Sequence, residues 1–263
     1  MEKTLFSAMA AVLISTCCAS ASATATFTVN EGSVPGANAN VFTADSLHGT
    51  YFEVLTIHPG NTYDAIGFAR FNAFFNTGSM VTGQQLDGNP PNGYSLYATF
   101  AKSGLVSGGT LSGTSGSFEL FLDPNQDTQL FIPSGTSVAR AGQVDDYLFG
   151  FSTQLLSATG TSTSFTSIFD GFQLTPSGTL YFTSPAMFYS TVTASGNPTN
   201  VQIFDLIDQF APGRFTVAGD LSATFAVPEP SALALVALAL AGAGVVGRLH
   251  RRVTPTPPSA CAP

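Results

Sequence analysis

Among the residues able to do chemistry, the densest group is Asp123-Pro124-Asn125-Gln126-Asp127, which sets three oxygen-bearing side chains at alternate positions. Calcium takes hard oxygen ligands from loops with that kind of spacing. Counted from Asp123, an EF-hand loop would want glycine at its sixth position and an acid at its twelfth, where Thr128 and Ser134 stand. So this is not an EF-hand. Two readings stay open: a weak calcium site at Asp123, Asn125 and Asp127, assisted by Asp145 and Asp146, or an Asx-type turn between strands. No other cofactor is expected.

Nucleophilic chemistry has few candidates. Before the tail the histidines are His48 and His58, and the cysteines sit only at Cys17, Cys18 and Cys261. The body therefore has neither a disulfide framework nor a thiolate metal site. No Gly-x-Ser-x-Gly nucleophile elbow occurs. A glycosidase would need two facing carboxylates, such as Glu53 and Glu119, but unrelated acids are always present in a chain of this length. Binding, not turnover, is the expectation.

Composition narrows the partners. Charged residues make up 9% of the chain and the net charge is -8, where globular domains carry about 25% charged residues. The surface must draw its polarity from Thr, Ser, Asn, Gln and Gly. Between Glu31 and Asp220 the cations are Arg70, Lys102, Arg140 and Arg214, against fourteen acids (16 in all, less Glu2 and Glu229). Nucleic acid is excluded as a partner, because phosphate neutralisation by Lys and Arg supplies most of that affinity. Acidity suits a protein kept soluble outside the cell.

Both ends read as addresses. Lys3, the apolar run Leu5–Ile14 and the small residues Ala19-Ser20-Ala21-Ser22-Ala23 have the layout of a secretory signal peptide over 1–23. Cleavage is expected after Ala23, with Ala21 and Ala25 as alternatives, by signal peptidase following export through the general secretion machinery. Near the other end, Ala232 to Gly247 is uncharged and rich in Leu, Ala and Val. As a helix it spans roughly 24 Å at 1.5 Å per residue, short for a hydrocarbon core of about 30 Å. Arg248, Arg251 and Arg252 follow it and belong on the cytoplasmic side. Before it, Glu229 stands between Pro228 and Pro230. Each proline biases its preceding residue, Val227 and Glu229, to extended backbone that a protease cleft can bind.

Val227-Pro228-Glu229-Pro230, a short apolar helix and an arginine cluster together resemble the PEP-CTERM sorting signal of Gram-negative bacteria. The resemblance implies processing by exosortase, an integral-membrane, cysteine transpeptidase-like enzyme of species that make exopolysaccharide. It makes Val227, Pro228, Glu229 and Pro230 the recognition and processing motif, the apolar helix a transient inner-membrane span, and Arg248, Arg251 and Arg252 the stop signal. One departure is visible, since such signals end soon after the basic cluster and this chain adds a Pro-rich tail over 253–263.

The body, 24–226, must supply whatever the addresses deliver. Short runs rich in Phe, Tyr, Val, Ile and Thr recur, as in Tyr51-Phe52-Glu53-Val54-Leu55-Thr56-Ile57, with Gly, Pro, Asn and Ser between them. Apolar and polar residues alternate in several, the pattern of half-buried strands. The expected fold is all-β, a single antiparallel β-sandwich of jelly-roll type, flanked by a signal-peptide helix and a C-terminal transmembrane helix. The 23 phenylalanines are expected in the core, although Phe68, Phe71, Phe74 and Phe75 could instead form a sugar-stacking surface. Segments such as Phe42-Thr43-Ala44-Asp45, Leu120 to Thr128 and Phe169-Asp170-Gly171-Phe172 are similar to flocculation-associated PEP-CTERM proteins. That implies adhesion of cells or exopolysaccharide in flocs and biofilms; a carbohydrate-binding module or a polysaccharide hydrolase is the alternative.

Overall fold

A computed structural model of the chain describes residues 25–89, 91–133, 136–199 and 212–226. Ala21 and Ala23, the motif Val227–Pro230, the apolar run and Arg248, Arg251 and Arg252 lie outside the described residues. No helix among the described residues is long and apolar enough to cross a membrane.

The strands, in chain order, are β1 (Phe27–Asn30), β2 (Val41–Ala44), β3 (Ser46–His58), β4 (Thr62–Asn76), β5 (Ser79–Met80), β6 (Ser95–Ser107), β7 (Thr110–Asp123) and β8 (Gln129–Phe131). They continue as β9 (Ala139–Ala141), β10 (Tyr147–Ser152), β11 (Gln154–Gly160), β12 (Phe165–Asp170), β13 (Gln173–Leu174), β14 (Phe182–Ser184), β15 (Thr191–Pro198) and β16 (Gly213–Ala226). A short helix, α1 (Pro176–Tyr181), precedes β14, with Pro176 in its first turn and Thr175 Oγ1 accepting from the Gly178 N–H.

All-β and antiparallel holds. The two-sheet sandwich does not, because one sheet rolls up on itself. Its order runs β11-β12-β15-β16-β3-β4-β6-β7, and β7 then pairs back onto β11, closing an eight-stranded barrel. β10 and β11 act as one interrupted strand along β7, with Ser152 opposite Phe118 and Ala158 opposite Gly113. β12 and β13 run along them in the same way, broken at Gly171. Closure removes the open edges that a sandwich would have to protect. Alternation along a strand states which residues face inward, not whether the inward faces belong to one rolled sheet or two stacked ones.

The seam explains a glycine. A Cβ on Gly113 would stand 2.6 Å from the Ala158 Cβ and 2.8 Å from Leu155 Cδ2, so only glycine lets β7 and β11 approach here. Gly67 does similar service inside, where an added Cβ would lie 2.3 Å from the Phe100 ring.

One end of the barrel is plugged. β1, β2 and β14 form a small sheet that brings Phe27 and Phe182 against Phe225, with ring centroids 5.3 and 5.8 Å away. Phe149 packs on Tyr181 of α1 at 4.8 Å, and Phe172 on Phe225 at 5.6 Å. Edge-to-face and tilted pairs of this kind add to the burial term. Phe71 and Phe74 are buried here, while Phe68 stacks on Phe52 on the outer wall and Phe75 on His48. The expected phenylalanine stripe is therefore split between core and surface. Thr56, Asp64, Ser103 and Ser115 fall opposite one another across four outer-wall strands, and the two serine hydroxyls are 2.6 Å apart. Hydroxyls supply the surface polarity that charged residues do not.

Candidate functional site

The opposite end of the barrel holds an ion pair in its interior. Period-2 alternation turns Glu53 of β3, Lys102 of β6 and Ser167 of β12 inward. Lys102 Nζ lies 2.9 Å from Glu53 Oε2, and both side chains are 9% exposed. The ammonium also lies 5.1 Å from the centre of the Phe100 ring and 5.4 Å from that of Phe165, within cation–π range. Tyr51 meets Phe165 edge-on at 4.8 Å. Burial, and behind it the negative charge of Glu53, pushes the Tyr63 phenol up to about 12 and raises the Tyr51 phenol too. Both rings line a cavity of about 40 Å³ with Glu53, Lys102 and Ser167. The Ser167 hydroxyl is buried and has no hydrogen-bond partner among the described residues. This arrangement can donate and accept hydrogen bonds at one place inside an apolar wall.

Glu53 and Glu119 do not form a pair. Glu53 faces the interior, whereas Glu119 is on the outer wall, accepting a hydrogen bond from Thr99 Oγ1 at 3.2 Å. A barrel wall separates them. The two histidines are equally divided: ten residues apart on one strand, they are about 33 Å from each other at 3.3 Å per residue. His58 sits 2.8 Å from Asp64 in an exposed pair. His48 stacks on Phe75 at 4.1 Å, with its Nε2 3.3 Å from Ser46 Oγ. Its burial lowers its pKa from 6.5, against a smaller opposing pull from Asp45.

The acidic loop folds back on Asp123 and draws carboxylates together. Asp123, at the end of β7, is buried and accepts from the backbone N–H groups of Asp127 (3.3 Å) and Thr128 (3.0 Å), a longer reach than the two residues of the expected Asx turn. The 3-10 turn Gln143–Asp145 brings Asp145 to the same loop. One carboxylate oxygen from each of Asp123, Asp127 and Asp145 lies within 4.8 Å of the others, a spacing that could hold a cation. Asn125 Nδ2 donates to Asp145 at 2.7 Å. Asp146 turns elsewhere, accepting from the Tyr97 hydroxyl and from Thr128 Oγ1 at 3.0 Å. Burial, the largest cause, raises its pKa.

Sequence reasoning did not anticipate a third polar centre. Glu31 is wholly buried in the plug, with no ion-pair partner among the described residues. It accepts from the Gln85 N–H at 2.7 Å, the Gln85 amide at 3.0 Å, the Asn40 amide at 2.8 Å and the Tyr94 hydroxyl at 2.8 Å. Tyr181 lies 2.5 Å beyond Tyr94 and, since Tyr94 gives its proton to Glu31, donates to it. Burial holds both phenols well above 10. Such satisfaction lets a carboxylate stay buried, and here it fastens the N-terminal strand to α1. Nothing in the local spelling Asn30-Glu31-Gly32 marks it, because its partners Asn40, Gln85 and Tyr94 come from three other segments.

Comparison with family models matches residues 226–252 to the PEP-CTERM protein-sorting motif. That match implies an exported protein with a transient membrane anchor and exosortase as its processing partner. Comparison with curated proteins and with solved structures returns no match.

Proposed function

We propose that the chain is an exosortase-processed cell-surface or extracellular-matrix protein that acts by adhesion within exopolysaccharide, in biofilms or flocs. The observation that carries this is the motif match over 226–252, taken with where the fold ends. β16 finishes at Ala226, bonded on one side to β15 and on the other to β3. Cutting at Val227–Pro230 would therefore release a complete barrel, with the apolar run, Arg248, Arg251 and Arg252 discarded. The separation of Glu53 from Glu119 and of His48 from His58 supports binding over hydrolysis. The hydroxyl-lined outer wall suits a hydrated polymer partner.

We infer a weak calcium site at Asp123, Asp127 and Asp145 for the acidic loop, an ion plentiful outside cells. Adhesion is tested by incubating the purified protein with isolated exopolysaccharide. Retention without released reducing sugars is expected; soluble fragments would favour the alternative, a polysaccharide hydrolase. Processing is tested by Glu229→Ala, expected to leave the precursor in the inner membrane; unchanged arrival at the cell surface would contradict it.

A further inference from the structure

An ion pair inside a β-barrel needs a reason. Withdrawing Glu53 and Lys102 from water to 9% exposure costs desolvation that their attraction repays only with good geometry, and apolar replacements are often as stable. Stability alone does not account for them. Nor does it account for Ser167, 98% buried at 2% exposure, whose hydroxyl meets nothing. Among the described residues it is the buried side-chain polar atom left without a partner, and it lines the same cavity as the ion pair. At about 40 Å³ that cavity has room for about three or four water-sized groups, taking roughly 10–15 Å³ for each.

The chemistry selects the occupant. Glu53 and Lys102 neutralise one another, so a lone anion or cation would have to break the pair to enter. A neutral group offering two adjacent hydroxyls need not. One hydroxyl can donate to the carboxylate while the other accepts from the ammonium, 2.9 Å across the pair, and Ser167 gains a partner. The Tyr51 and Phe165 rings, edge-on to each other at 4.8 Å, supply an apolar flank for ring C–H groups. The space takes two hydroxyls and their carbons but not a whole hexose ring. We propose that this end of the barrel binds the vicinal-diol edge of a terminal or branching sugar, with Glu53 accepting, Lys102 and Ser167 donating, and Tyr51 and Phe165 flanking. As the means of holding matrix polymer the pocket rests on the adhesion reading; as a diol site it is tested separately.

The full chain is titrated with methyl hexopyranosides that carry a free vicinal diol and with the same rings O-methylated at that diol. At least one free diol is expected to bind at millimolar strength and its methylated form not to. Ser167→Ala is expected to weaken binding roughly five- to tenfold, the usual effect of one hydrogen bond. It should do so without lowering the melting temperature of the unliganded protein, because it deletes a hydroxyl that has no partner to lose. That combination separates a binding role from a structural one. The double change Glu53→Gln, Lys102→Met keeps volume and should abolish binding. The proposal is overturned if no glycoside binds up to ~100 mM, or if binding survives both variants. Exopolysaccharide retention by a protein that fails the glycoside test would also overturn the pocket, while leaving adhesion to the outer wall.

Discussion

Single residues here are placed by what burial does to a charge. His48 is half-buried against Phe75, and its folded pKa falls below 6.5 because desolvation outweighs the pull of Asp45. The unfolded chain therefore takes up the proton first. Stability tied to the neutral ring is complete above the unfolded value and is lost as pH falls from about 6.5 through the lower folded value. His48→Asn, read by melting curves between about pH 7.5 and 5.5, should lose less stability over that interval than the parent does. Parallel losses would contradict the assignment. For the acidic loop, free calcium at tenfold over its dissociation constant would add about 1.4 kcal/mol, and chelation should lower the melting temperature by about 3–6 °C for a domain this size. An unchanged curve with and without chelator would remove calcium from the account. The alternate spacing of Asp123 and Asp127 was legible in the sequence, as was the nearness of Asp145. What was not legible was that Asn125 would turn its amide to Asp145 and that Asp146 would bond Tyr97 instead.

Strands and their glycines belong to the next scale. Alternation along Tyr51–Ile57 marked a half-buried strand, and β3 runs through those residues, since that period is set by the backbone itself. Closure depends instead on one contact between β7 and β11, which are separated by the whole of β8, β9 and β10, and no local pattern encodes so distant a pairing. Gly113 is the residue that permits it. Gly113→Val places a branched side chain 2.6 Å from Ala158 Cβ and is expected to cost about 2–3 kcal/mol, a fall of about 4–12 °C in melting temperature. Gly160 lies on the same seam, but its added Cβ would meet only Leu111, at 3.5 Å. Gly160→Ala should therefore be tolerated, and equal damage from both would mean that the seam is not limited by close approach. Glu31 teaches the complementary lesson: a lone acid in a Gly-rich turn looks solvated, yet long-range folding surrounds it with donors.

At the scale of the whole molecule, the chain divides its labour between a closed barrel and a terminal motif. The barrel needs nothing beyond Ala226 to complete its last strand, and the motif match begins at that residue. The sorting signal was legible because it is read linearly, as proline-fixed backbone, apolar length and charge. The barrel's polar interior was not, because it is assembled from β3, β6 and β12. The most direct test is mass spectrometry of the C-terminus of the protein recovered from the cell surface. A chain ending within or beside Val227–Pro230, lacking the peptide that contains Arg248, Arg251 and Arg252, is predicted. Recovery of an intact C-terminus through Pro263 in that surface pool would contradict the account.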